Sequence, residues 1–191
     1  MNASNNPLPR EIDNATKTII EEGFPAYLDA ARCVHYFQTA VSEVLKSTLH
    51  SQQDRIVKSF KLPERVGEIG LRVDPDFPFN RYDNRECSIS AYAKLELPFP
   101  CSIWLFVSFV ETGDPSPVQM LYCALEVRTK RDLDRVQGFF RGREDRIEDE
   151  IWDGYPAGLK RKLRSPDTLR AELETLVDEF LTCCEGYCVQ N

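Results

Sequence analysis

Cys101-Ser102-Ile103-Trp104-Leu105-Phe106-Val107-Ser108-Phe109-Val110 is the most apolar run in the chain. Its β-branched and aromatic residues suit a pleated, half-buried surface, so it predicts a central strand. Cys101, Ile103, Leu105, Val107 and Phe109 fall on its odd positions. Upstream, residues 87–97 alternate cleanly: Cys87, Ile89, Ala91, Ala93, Leu95 and Leu97 are odd, while Ser88, Ser90, Tyr92, Lys94 and Glu96 are even. Downstream, residues 119–128 put Leu121, Cys123, Leu125 and Val127 on odd positions against Tyr122, Glu126 and Arg128. Opposed residues in an antiparallel pair point to the same face. Setting Leu97 opposite Cys101 and Phe109 opposite Leu121 keeps odd facing odd, so the three strands form a meander with one apolar face. Pro98-Phe99-Pro100 and Thr112-Gly113-Asp114-Pro115-Ser116-Pro117 supply the turns.

A fourth strand precedes these. Ile69, Leu71 and Val73 share one face against Glu68 and Arg72, and Asp74-Pro75-Asp76-Phe77-Pro78 stops the run because proline cannot donate to a ladder. Asn80 to Arg85 reads as a loop. Helical spacing governs the earlier chain. Residues 1–10 read as a disordered arm, and a short amphipathic helix over about residues 11–22 carries Ile12, Ile19 and Ile20. Gly23-Phe24-Pro25 ends it. A longer helix follows over about 25–52, striped by Val34, Phe37, Val41, Val44, Leu45, Thr48 and Leu49, with Ser51 to Asp54 as its polar exit.

After the sheet, a charged helix is expected from Lys130, with Leu133, Val136, Phe140, Ile147 and Ile151 facing the core and Gly138 and Gly142 weakening it. Trp152 to Gly158 breaks it, and a basic run follows at Lys160, Arg161, Lys162 and Arg164. Ser165-Pro166-Asp167 then starts a last helix that buries Leu169, Leu173, Leu176, Val177 and Phe180. The expected fold is α+β: two N-terminal helices, a four-stranded, mainly antiparallel meander and two C-terminal helices packed on the sheet. It forms a single domain over residues 11–182, with a flexible cysteine-containing tail at 183–191.

Composition narrows the function. The chain has 191 residues, 42% of them hydrophobic and 29% charged, which is enough for a sizeable core. Its net charge of −7 disfavours non-specific binding to nucleic acid and favours basic partners. No apolar run is long enough to span a bilayer, and the polar start, Met1 to Pro7, lacks a signal pattern. Seven cysteines, an odd number and several of them at core positions of strands, point to a reducing cytoplasm rather than a disulfide scaffold.

Four constellations carry chemistry. The first is the even face of the meander, where Tyr92, Lys94, Glu96, Trp104, Phe106, Tyr122, Glu126 and Arg128 combine aromatic anchors with mixed charge, as protein-binding surfaces do. The competing reading has the N-terminal helices cover this face and make Trp104 and Phe106 core residues. The second is a Mg²⁺- or Mn²⁺-dependent phosphodiesterase site, with Glu126-Val127-Arg128 on one strand, further ligands from Asp74 and Asp76, and Glu43 approaching from the helix. The acid-x-base strand resembles that of restriction-like nucleases, with arginine where lysine is typical. The third is Cys183-Cys184-x3-Cys188, which lacks the second half of a zinc site apart from distant Cys33 and His35. The fourth is the pair of histidines, His35 and His50, both on the long helix and best read as structural.

No Gly-x-Ser-x-Gly elbow, P-loop or dinucleotide glycine pattern occurs. The reading that follows is a non-enzymatic, acidic cytosolic protein without cofactor. It resembles inhibitors of the immunity type, adaptors or small chaperones in binding a protein partner, or a second copy of itself, through the aromatic face. The alternatives are the phosphodiesterase and a small-ligand binder between sheet and helices.

Overall fold

The computed structural model describes residues 17–18, 21, 23–62, 66–73, 86–97, 99–110, 118–147 and 154–187. The expected helix at 11–22, together with Asp74, Asp76 and Cys188, lies wholly or largely outside them. The chain divides into two units, Met1–Thr39 and Ala40–Asn191. The boundary falls within helix α1, Phe24–Ser51.

In the first unit, Phe24, Tyr27, Leu28, Tyr36 and Phe37 are exposed. In the second, the remainder of α1 buries Val41, Ser42, Leu45, Thr48 and Leu49, the predicted stripe. The polar stretch after it does not leave the helical region. Helix α2, Gln53–Phe60, follows at once and buries Ile56, Ser59 and Phe60. It ends at Lys61 in the left-handed region, φ 49°, where the Lys61 amide donates to the Lys58 and Val57 carbonyls.

The sheet is antiparallel throughout, and its strands lie side by side in chain order: β1 Ile69–Val73, β2 Glu86–Leu95, β3 Cys101–Val110, β4 Val118–Val127 and β5 Tyr155–Lys162. Four strands were expected and five are present. The parity holds, but both registers shift by two residues, which lengthens the first turn and shortens the second connection. Leu95 lies opposite Cys101, and Phe109 lies opposite Gln119. A shift of two leaves every side chain on its own face. Glu96 and Leu97 therefore belong to the turn, beside prolines that cannot extend the ladder.

The charged helix expected to run to Ile151 is cut short. Helix α3, Lys130–Gln137, starts at Thr129, whose hydroxyl accepts from the Asp132 amide at 3.2 Å. A 3₁₀ turn, Gly138–Phe140, tightens the chain, and Gly142, φ 82°, turns it away. Asp145 to Ile147 then runs along the outer edge of β5. The Lys160 amide donates to the Asp145 carbonyl at 2.7 Å, and the Ile147 amide donates to the Gly158 carbonyl at 2.9 Å. The basic run 160–162, expected ahead of a helix, is the end of β5. Gly154, Pro156 and Gly158 disguise that strand in the sequence.

Pro166–Thr168 forms a 3₁₀ turn, and helix α4, Leu169–Tyr187, follows. The expected tail at 183–191 is thus helical through Tyr187, because Leu181 and Cys184 continue the apolar stripe and are buried.

All four helices contribute to one core on the odd face of the sheet, where Ile89, Ile103, Leu105, Leu121, Leu125 and Leu159 meet Leu45, Leu49, Ile56, Val136, Leu173 and Phe180. Across this core, Arg55 of α2 donates to the Asp178 carbonyl and to the Thr182 hydroxyl of α4, each at 3.1 Å, and pairs with the Asp178 carboxylate.

Candidate functional site

Within the second unit, the described helical residues from Val41 onward pack on the odd face. Two aromatic pairs form across the strands of the even face. Tyr92 of β2 lies opposite Trp104 of β3, with ring centroids 5.1 Å apart and planes tilted by 40°. Phe106 of β3 lies opposite Tyr122 of β4, and their rings stack at 4.3 Å and 8°. Cross-strand aromatic pairs of this kind fix both rings and add to sheet stability. Trp104 and Phe106 remain partly exposed, whereas Tyr122 is buried. Tyr122, Ala124 and Ile147 form a small apolar cluster, with Phe106 and Met120 packed against it. Ile147 reaches this face because the segment before it pairs with the edge of β5.

A charged group borders the rings. Gly67 and Glu68 together face Lys94: the Gly67 amide donates to the Lys94 carbonyl at 2.9 Å, and the Lys94 amide donates to the Glu68 carbonyl at 3.0 Å. Two residues facing one make a β-bulge, which aims a side chain off the regular pleat. The Glu68 carboxylate accepts from Lys94 Nζ at 2.5 Å and from the Tyr92 hydroxyl at 3.1 Å. The Lys94 hydrogen bond, then that of Tyr92, holds the Glu68 carboxyl below the usual range. The same carboxylate raises Lys94. Gly70 leaves room for the Tyr92 ring, since a Cβ there would lie 2.4 Å from Tyr92 Cζ.

The indole of Trp104 stands out chemically. Its Nε1 is buried and has no hydrogen-bond acceptor among the described residues. An unsatisfied buried N–H costs on the order of 1–3 kcal/mol, so such groups call for an explanation.

The predicted residues separate into groups. Tyr92, Lys94, Trp104, Phe106, Tyr122 and Glu126 share the even face. Glu96 and Arg128 are exposed just past the ends of β2 and β4. Glu126 is half-buried opposite Ser102 and Pro156, and Gly154 abuts its carboxylate. Glu43 is exposed on α1, a helix of the opposite face, and Asp74 and Asp76 are outside the described residues. Among the described residues, no group of three or more His, Cys, Asp or Glu side chains could hold a metal ion. His35 and His50 are both exposed on α1.

The cysteines are spread through the structure. Cys33 is exposed, while Cys101, Cys123 and Cys184 are buried. Burial, with Glu126 and Asp132 nearby, pushes the Cys101 thiol up to about 12, and burial alone raises Cys123.

Glu68 and Ile147 were not foreseen as part of this face. Glu68 could have been found by extending the even parity of β2 onto β1. Ile147 could not, because its place depends on β5.

No protein-family model matches the chain, no curated protein is significantly similar to it, and no solved structure matches it. Among the described residues, no helix is long and apolar enough to cross a membrane.

Proposed function

We propose that this protein is a non-enzymatic binder of a protein partner and that the even face of the sheet is its contact surface. One observation carries the reading: the main core lies on the odd face, while the opposite face holds paired aromatic rings of which Trp104 and Phe106 are partly exposed. Rigid aromatic anchors with a polar rim are the usual energetic centre of a protein interface. Glu68, Lys94 and Glu126 would supply the rim. The net charge of −7 favours a partner of basic character.

Replacing Trp104 by alanine and, separately, Lys94 by glutamate tests the reading in pull-downs quantified by mass spectrometry. Arg170→Glu, an exposed position on α4, serves as control. The expected result is one protein, retained by the wild type and the control, whose recovery falls at least about tenfold in both face variants. Equal recovery with all four proteins, each shown to be folded by circular dichroism, would refute the reading.

A further inference from the structure

Asp145–Ile147 lies along the outer edge of β5 as a very short extra strand. Arg146 and Leu159 form an isolated antiparallel bridge. Two backbone bonds flank it, from the Lys160 amide to the Asp145 carbonyl and from the Ile147 amide to the Gly158 carbonyl. Three side chains anchor the segment. Arg143 bonds to Asp145 and to Glu179 of α4, the Asp145 carboxylate lies 3.6 Å from Arg161, and Ile147 is buried against Tyr122 and Ala124. Around those anchors, Arg141, Gly142, Glu144 and Arg146 are exposed. Gly142 takes the left-handed backbone, and a Cβ there would meet nothing within 4 Å. The approach to the segment is therefore a turn with little packing. Segments with few buried contacts and exposed neighbours open locally at a lower free energy than the core.

We infer that Asp145–Ile147 is a displaceable strap, and that the edge of β5 beneath it binds an extended peptide segment of a partner, which takes the strap's place. The strap itself displays the chemistry of the occupant. It runs antiparallel to β5 and bonds through its main chain to Gly158 and Lys160. It sets a carboxylate beside Arg161 and, two residues on, a branched aliphatic side chain that Tyr122 and Ala124 receive. Strand addition at a sheet edge draws affinity from main-chain bonds and specificity from alternate side chains. The fitting segment therefore carries an acidic residue, any residue and then isoleucine or valine. The strap is tethered, so it competes at an effective concentration of the order of millimolar. It keeps the edge from pairing at random and yields to a segment that binds more tightly. The site is the edge of the sheet, so it stands whether or not the aromatic face meets a partner.

A fluorescein-labelled peptide with the strap's own sequence, Arg141 to Ile147, is the probe, added to the full chain and followed by anisotropy. Wild-type protein should bind it weakly, because its own strap holds the edge. Ile147→Ser in the protein should tighten binding of the unchanged peptide at least about tenfold, since apparent affinity scales with the fraction of open sites. Glu179→Gln, which removes one partner of Arg143, should tighten it to a smaller extent. A peptide with serine in place of its isoleucine should lose this binding. Hydrogen exchange followed by NMR reads the opening itself. The Ile147 and Lys160 amides should exchange at least about tenfold faster than those of β3, and faster still in Ile147→Ser. Unchanged β3 amides report that each variant is folded. Exchange of Lys160 at the rate of β3 would mean that the edge opens only when the whole domain unfolds, and would overturn the inference. Equal peptide binding by the wild type and both variants would overturn it as well.

Discussion

A single methyl group can be neutral at one glycine of this protein and severe at another. At Gly158, in β5, an added Cβ would lie 2.2 Å from the Cys123 carbonyl oxygen and 2.6 Å from Ala124 Cα. Both atoms are backbone in the neighbouring strand, so relief requires opening the β4–β5 ladder. At Gly138 the same Cβ meets nothing within 4 Å, and the backbone is already helical at φ −59°. Gly158→Ala should therefore cost about 2–4 kcal/mol, while Gly138→Ala should stabilise by about 0.5–1 kcal/mol through the unfolded chain. Urea unfolding of the two variants beside the wild type measures both. A glycine just ahead of a basic run reads as loop chemistry in the sequence; here it lets two strands approach closely. That is why β5 was not legible: Pro156 and Gly158 replace the alternating apolar residues on one face, and the strand keeps only Ala157 and Leu159 as core positions.

At the level of elements, a charged cluster fastens α4 to the edge of β5. Arg143 donates to both oxygens of Asp145 at 2.8 Å and to Glu179 Oε2 at 2.6 Å, and Arg161 donates to the same Glu179 oxygen at 2.9 Å. Burial raises both carboxyls, but the bonds from Arg143, joined by Arg161, outweigh it and leave Asp145 and Glu179 below their ordinary values. A carboxyl depressed in the folded state contributes stability that is complete above its unfolded pKa and is lost as pH falls through its folded one. The side chains are about a quarter to a third exposed, so the cluster is worth about 1 kcal/mol rather than the full electrostatic figure. Glu179→Gln should lower stability by about that amount at pH 7 and flatten the decline below roughly pH 4.5, where the wild type loses the same contribution. Chemical denaturation at a series of pH values checks both effects. The partners are far apart in the chain, so nothing in residue spacing announced the cluster. The parity of the meander, by contrast, was legible because it needs only neighbouring strands. The same parity puts Tyr92, Trp104, Phe106 and Tyr122 on one face from the sequence alone. It could not say which face the helices would take, since α1 and α4 carry apolar stripes that suit either.

For the whole molecule, every buried residue of the main core among the described residues lies at Val41 or beyond. A chain beginning at Ala40 should therefore fold alone, with a cooperative transition within a few degrees of the full-length protein in calorimetry. Loss of about 1 kcal/mol would move a domain of this size by only about 2–4 °C. A noncooperative trace from the shorter chain would show that the first unit is required for the fold.

The order of the strands also shapes the birth of the molecule. Each strand of the meander lies beside the one made just before it, so pairing can keep pace with the ribosome. Part of the cover does not. Leu173, Leu176, Val177 and Phe180, which shield the odd face together with the earlier helices, are translated only after the last strand. At about 5–20 residues per second, a nascent chain carries a finished sheet with an incomplete apolar cover for a second or more. A message that stalls ahead of Leu169 would leave that part of the face bare, and the product would be a natural client for chaperones and proteases.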